Sequence, residues 1–193
     1  MKVIVLCEES QIITKAFRAG GHIAFSNDIQ PCSGGFPEWH LQGDCFEVVM
    51  SDEWDIVIGH PPCTYLTNAG SCRRYNKDGS LNIERMKKTL AARQFFIDMY
   101  NLPFKRIALE NPVPWSGANL PECSQYIEPY YFGDPYTKKT GLWLKGLPPL
   151  MATLFCDSPV SFVSLHRTPK QRSKFFPGVA EAMVKQWGGG FYE

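Results

Sequence analysis

Four consecutive apolar residues, Val3, Ile4, Val5 and Leu6, stand between polar positions near the start of the chain, and so short a run reads as a buried strand. Ile12, Ile13, Ala16 and Phe17 then recur at helical spacing, with Ser10 placed to cap the helix and Gly20-Gly21 to stop it. Residues 22–26 predict a second strand ending at Asn27-Asp28. The third is the clearest: Asp55, Ile56, Val57, Ile58 and Gly59 run into Pro61-Pro62, which cannot continue a ladder. Over residues 83–100, Met86, Leu90, Phe96 or Ile97, and Tyr100 mark a crossover helix with Asn82 as its cap. Residues 106–109 form another strand candidate, with Glu110-Asn111-Pro112 following it. Two more strands, over 126–132 and 141–144, precede an irregular proline-rich stretch over 147–174. Val179, Ala182, Met183 and Trp187 then form the apolar face of a closing helix over 178–187. Short strands alternating with helices predict an α/β fold, a mostly parallel central sheet flanked by helices. Ligands of such sheets bind beyond the carboxyl ends of the strands.

The 193 residues, 44% of them hydrophobic, suffice for one sizeable core, so a single domain over 1–193 is expected. The formal net charge is only +1, so any contact with nucleic acid must come from local clusters of Lys and Arg. Two segments qualify: Arg73, Arg74 and Lys77, and then Arg167, Lys170, Arg172 and Lys174. The start of the chain has one Lys and a short apolar run before Glu8 and Glu9, neither a signal peptide nor a membrane span, so a soluble protein is expected. Seven cysteines without close pairing read as reduced thiols of a cytoplasmic protein. The four histidines show no ligand spacing, and no metal is expected.

The candidate chemistry lies at two strand ends. In His60-Pro61-Pro62-Cys63 a thiol sits on a loop stiffened by two prolines, which suits a nucleophile, although a lone cysteine is more often a small buried hydrophobe. Glu110 directly follows a buried apolar strand, where a carboxylate is costly unless exposed or paired; a turn cap is the bland alternative.

The order of these motifs resembles the cytosine-5 DNA methyltransferase family, whose nucleophile lies in a Pro-Cys motif after a strand and whose acid lies in a later Glu-Asn motif. Pro62-Cys63 and Glu110-Asn111 match those two. Asp28, with Ile29 beside it, is similar to the acidic position that meets the cofactor ribose, and Gly43-Asp44-Cys45 to the Gly-Asp that meets adenine. Phe132-Gly133-x-Pro135-x-x-Lys138 looks like the Tyr-Gly-x-Pro-Gln-x-Arg signature, with Lys138 at the first arginine. Phe176-Pro177-Gly178 and its helix resemble the family's C-terminal helix.

This resemblance implies a Rossmann-like methyltransferase fold that uses S-adenosylmethionine. It implies catalytic roles for Cys63, Glu110, Asn111 and Lys138, and cofactor contacts from Cys7, Glu8, Ser10, Asp28, Ile29, Asp44, Cys45, His60 and Pro61. Cys63 would add to carbon 6 of cytosine, Glu110 would protonate ring nitrogen 3, which calls for a raised carboxyl pKa, and Lys138 would hold the base carbonyl. DNA is the implied partner, as a duplex with a flipped base or as a single strand. The sequence departs from the family at Cys7-Glu8-Glu9-Ser10, which replaces a glycine-rich loop, at Thr64, where glutamine is usual, and at Tyr136 and Thr140. Residues 148–175 stand where the family inserts a target recognition domain, as expected of a compact, phage-like member, so a separate subunit or self-association would supply target choice. A non-catalytic DNA- or cofactor-binding relative, and an enzyme of free cytosine nucleotides or single strands, fit the same residues.

Overall fold

Alternation of side chains along the first strand sets the layers of the protein. In the computed structural model, which describes residues 1–165, 168 and 174–189, strand β1 (Lys2–Leu6) sends Val3 and Val5 to one face and Ile4 and Leu6 to the other, all fully buried. A strand buried on both faces has no polar side and belongs at the centre of a parallel sheet. Its neighbours are β2 (Ile23–Asp28) and β4 (Ile56–Gly59), both parallel to it. With β3 (His40–Gln42), β5 (Ile107–Pro112), β6 (Gln125–Ile127) and β8 (Thr140–Lys145) they form one seven-stranded sheet in the order β3-β2-β1-β4-β5-β8-β6. Only β8 runs against the others. The order reverses between β1 and β4, the topological switch where a crevice opens in such sheets.

Helices α1 (Ile12–Ala19) and α5 (Pro177–Trp187) cover one face, packing Ile13, Phe17, Val179, Met183 and Trp187 on Val3, Val5 and Ile58. Helices α2 (Cys45–Met50) and α3 (Ile83–Tyr100) cover the other with Val49, Phe96 and Met99. α3 lies so close to the sheet that a Cβ on Gly59 would come within 2.5 Å of the Met99 sulfur and 2.9 Å of Leu109. Its buried residues are Thr89, Phe96 and Met99, whereas Leu90 is exposed, so the apolar face is rotated from the one its spacing suggests. Asn82 caps it as expected, its side chain accepting from the Arg85 N–H at 3.0 Å.

Three local expectations are corrected. Ser10 does not cap α1. The cap position is Gln11, at φ 58°, and the buried carboxylate of Glu8 reaches under the helix to accept from the N–H groups of Ile13 (2.7 Å) and Thr14 (3.3 Å) and from the Thr14 hydroxyl (2.7 Å). Negative charge at a helix start is favoured by the exposed N–H groups and the dipole. Glu8→Ala is therefore expected to cost about 2 kcal/mol in urea unfolding, while Glu8→Gln, which keeps one acceptor, costs about half of that. Second, Glu110, Asn111 and Pro112 do not follow the strand; they are its last residues, because β8 pairs Glu110 with Leu142 and Asn111 with Gly141. Third, the strand expected over 126–132 is only Gln125–Ile127, and Pro129–Tyr131 turns into a 3-10 helix. Within the stretch expected to be irregular, β9 (Val160–Ser161) pairs with β7 (Tyr136–Thr137) and leads into α4 (Phe162–Leu165). Among the described residues no helix is long and apolar enough to cross a membrane.

Candidate active site

Parallel pairing of β4 with β5 puts Gly59 opposite Leu109, so the next residues, His60 and Glu110, leave the sheet edge side by side. His60 Nδ1 lies 3.1 Å from Glu110 Oε2, with the two side chains only 15% and 12% exposed. The His60 N–H donates to the Leu6 carbonyl, fixing the loop to the central strand. After Cys63 the chain turns, with its carbonyl accepting from the N–H groups of Leu66 and Thr67. It then docks on the segment beyond β5: Asn68 donates to Val113 and Trp115 to Leu66, both at 3.0 Å. These bonds hold the Cys63 loop against the strand that carries Glu110.

Cys63 is half-buried, and Glu110 and Lys138 are both within electrostatic reach of it. Burial, then the charge of Glu110, push the Cys63 thiol up to about 11 against the opposing pull of Lys138. Burial also opposes ionisation of Glu110, but the hydrogen bond with His60 and the charges of Lys138 and His60 outweigh it, so its carboxyl lies below the ordinary range. This reverses the expected raised value: an isolated buried carboxyl would hold its proton, and this one has cationic partners. Lys138 comes from the turn between β7 and β8; its backbone N–H donates to Glu128 at 2.7 Å and its Nζ lies over the rings of Phe162 and Phe176. Asn111 is fully buried, its amide donating to the Pro112 carbonyl and its Oδ1 left without a partner.

Beside this cluster a cavity of about 270 Å³ opens at the switch between β1 and β4. Cys7, Asp28, Ile29, Asp44, Cys45 and His60 line it, six residues expected to meet a cofactor. Glu8, Ser10 and Pro61 do not: Glu8 is committed to the start of α1, and Pro61 is buried while Pro62 takes the lining position. Sequence reasoning missed Phe95, which reaches the cavity from α3, and Asn27 and Gln30; Gly43, expected together with Asp44, lines the cavity as well. Asn27 was detectable as a polar residue closing an apolar strand. It is fully buried, its amide spans the carbonyls of Leu41 and Gly43, and its Oδ1 has no partner. Cys7 takes the left-handed conformation (φ 58°), which few residues other than glycine adopt. Its hydrogen bond with Cys45, together with burial, pushes its thiol well above the ordinary range.

Two structures compare well. A prophage-encoded protein of E. coli named as a DNA modification methyltransferase matches with a TM-score of 0.52 and 16% identity, over 88% of this chain and 55% of its own. The methyltransferase EhMeth of Entamoeba histolytica matches with a TM-score of 0.52 and 12% identity, over 81% of this chain and 57% of its own. This chain shares their fold. It spans little more than half the length of either protein. No family profile matches the sequence, and no curated protein is similar to it at a significant level.

S-adenosylmethionine would find both acceptors and apolar surface in this cavity. Carboxylates of Asp28 and Asp44 can accept from hydroxyl and amino groups, Phe95 and Ile29 offer apolar surface to a flat ring, and the unpartnered Asn27 Oδ1 and His60 Nε2 await polar atoms. Asp44 Oδ1 already caps α2 through the N–H groups of Phe46 and Glu47. Arg73, Arg74 and Lys77 follow the Cys63 loop. Arg73 and Lys77 are exposed, and the Arg74 guanidinium stacks 4.0 Å over the Trp115 ring. Lys174 is exposed, while Arg167, Lys170 and Arg172 lie outside the described residues.

Proposed function

We propose that this chain is an S-adenosylmethionine-dependent DNA methyltransferase acting on carbon 5 of cytosine. The observation that carries the reading is that the Cys63 thiol, at the loop after β4, lies within electrostatic reach of Glu110 and Lys138, with Glu110 held by His60 at the edge of the cavity. Nothing in the packing of an α/β core requires a thiol, a paired carboxylate and a lysine to lie within reach of one another. The family resemblance of the motifs and the fold shared with a DNA modification methyltransferase support the same reading.

Carbon 5 of cytosine is a weak nucleophile, and the Cys63 thiolate activates it by bonding to carbon 6 while nitrogen 3 takes up a proton. Glu110 meets nitrogen 3, and Lys138 holds the ring carbonyl oxygen. Asp28 and Asp44 would hold S-adenosylmethionine, which when bound would supply an electrophilic methyl group. Loss of the carbon 5 proton and elimination of Cys63 restore the aromatic ring. A stacked base hides this face, so the substrate is a flipped base or a single strand, with Arg73, Arg74, Lys77 and Lys174 near its phosphates.

Incubation with labelled S-adenosylmethionine and duplex DNA, single strands or dCMP, followed by mass spectrometry of the digested bases, tests the reaction directly. The expected product is 5-methylcytosine; methyl groups on an exocyclic nitrogen, or none, overturn the proposal. Asp28→Asn is expected to weaken cofactor binding about tenfold by calorimetry, since one charged acceptor is lost. An unchanged affinity would move the cofactor out of this cavity.

A further inference from the structure

We infer that His60 is the positioning residue behind Glu110, holding the proton that Glu110 passes to nitrogen 3 of the base. The inference rests on the reading above and assigns to that site a proton source. Nitrogen 3 needs a proton as sulfur bonds to carbon 6, yet Glu110 is an ionised carboxylate and cannot supply one by itself. The imidazole 3.1 Å away can. Nδ1 faces Glu110 Oε2, while Nε2 is buried and has no partner among the described residues.

Two carboxyls lie near the ring. Glu110 faces it from β5, and Glu8 is a second carboxyl within electrostatic reach, from the turn after β1. Lys138, from the turn before β8, acts on Glu110 and Cys63. The Phe175 ring packs edge-on at 5.1 Å. A ring that merely filled space here would need no polar contact, and a packing role alone leaves the alignment of Nδ1 on Oε2 unexplained.

The step balances as follows. Cys63, its proton already lost to solvent, donates the sulfur electron pair to carbon 6. The π electrons of the ring shift, so that a pair develops on nitrogen 3. Glu110 takes a proton from the His60 imidazolium at Nδ1 and passes it to that pair, ending ionised as it began. Elimination of Cys63 later runs the same transfer backwards, returning the proton to His60.

Single-turnover methyl transfer across pH 6–9 tests this, comparing wild type with His60→Gln. Glutamine can still donate a hydrogen bond to Glu110 but has no proton to give, so a purely structural role would survive the change. In His60→Gln the rate constant at saturating DNA and cofactor is expected to fall about 100-fold. Wild type needs both a thiolate, which grows with pH, and an imidazolium, which declines, so its profile is flat or bell-shaped. The variant keeps only the first demand, and its rate rises with pH. A variant with the wild-type rate constant and profile overturns the inference, as does a loss confined to KM for the cofactor. A second check needs no variant: nitrogen NMR of the free enzyme, at the pH where the single-turnover rate is highest, should find the His60 ring doubly protonated. A singly protonated ring overturns the inference whether or not His60→Gln folds. If wild type forms no adduct with fluorocytosine DNA, the parent reading fails and this one with it; an adduct with an indifferent His60→Gln removes this one alone.

Discussion

Cys63→Ala is expected to abolish methyl transfer, lowering the rate by at least about 10⁴-fold, while leaving the fold intact. The thiol is half-buried and ends a loop held by backbone hydrogen bonds from Leu66, Thr67, Asn68 and Trp115, none of which involves the sulfur. Losing it should change stability by less than about 1 kcal/mol. Duplex or single-stranded DNA carrying 5-fluorocytosine should trap wild type as a covalent adduct in the presence of S-adenosylmethionine, because fluorine cannot leave carbon 5 as a proton does. The variant should form none. A thiol pushed up to about 11 by burial and by Glu110 is almost entirely protonated near neutrality, so its reaction with iodoacetamide should rise about tenfold per pH unit between 7 and 9. Full activity in Cys63→Ala, or alkylation independent of pH, would remove this cysteine from the chemistry.

The parts of this architecture that were legible in the sequence are those set by local rules. The double-faced burial of β1 and β4 shows as unbroken apolar runs, and the start of α3 shows as Asn82 ahead of a periodic segment. Side chains reaching from elsewhere were not legible. Ser10 looks like the natural cap of α1, but the turn at Cys7 and Gln11 brings the Glu8 carboxylate back beneath the helix instead. β3 is three residues long and only half-buried, too short for periodicity to register. Its neighbour α2 begins at Asp44, which can be recognised as a cap only once β3 is in place. Glu110 looked like a loop residue because pairing with β8 depends on residues about thirty positions later in the chain. Its carboxyl was expected to keep its proton because the spacing between His60 and Glu110 hides their contact; the register of β4 on β5 creates it.

Glu110→Gln is expected to reduce adduct formation with fluorocytosine DNA by about 10²- to 10⁴-fold, since the amide can neither give nor take the proton of nitrogen 3. The same change should be visible without substrate. In the folded protein His60 and Lys138 hold the Glu110 carboxyl below the ordinary range, whereas in the unfolded chain it titrates near about 4.3. A carboxyl depressed on folding contributes stability that is present above the unfolded value and lost as pH falls through the folded one. Wild type should therefore lose this increment between about pH 5 and the acid limit, and Glu110→Gln, lacking it, should unfold along a flatter acid limb. At pH 7 the variant should be less stable by about 1–2 kcal/mol in urea, because a charge-assisted hydrogen bond to His60 is replaced by a neutral one. Activity and acid stability thus depend on one contact, and a variant that kept its stability at pH 7 while losing all activity would mean that the carboxylate serves the base without being held by the imidazole.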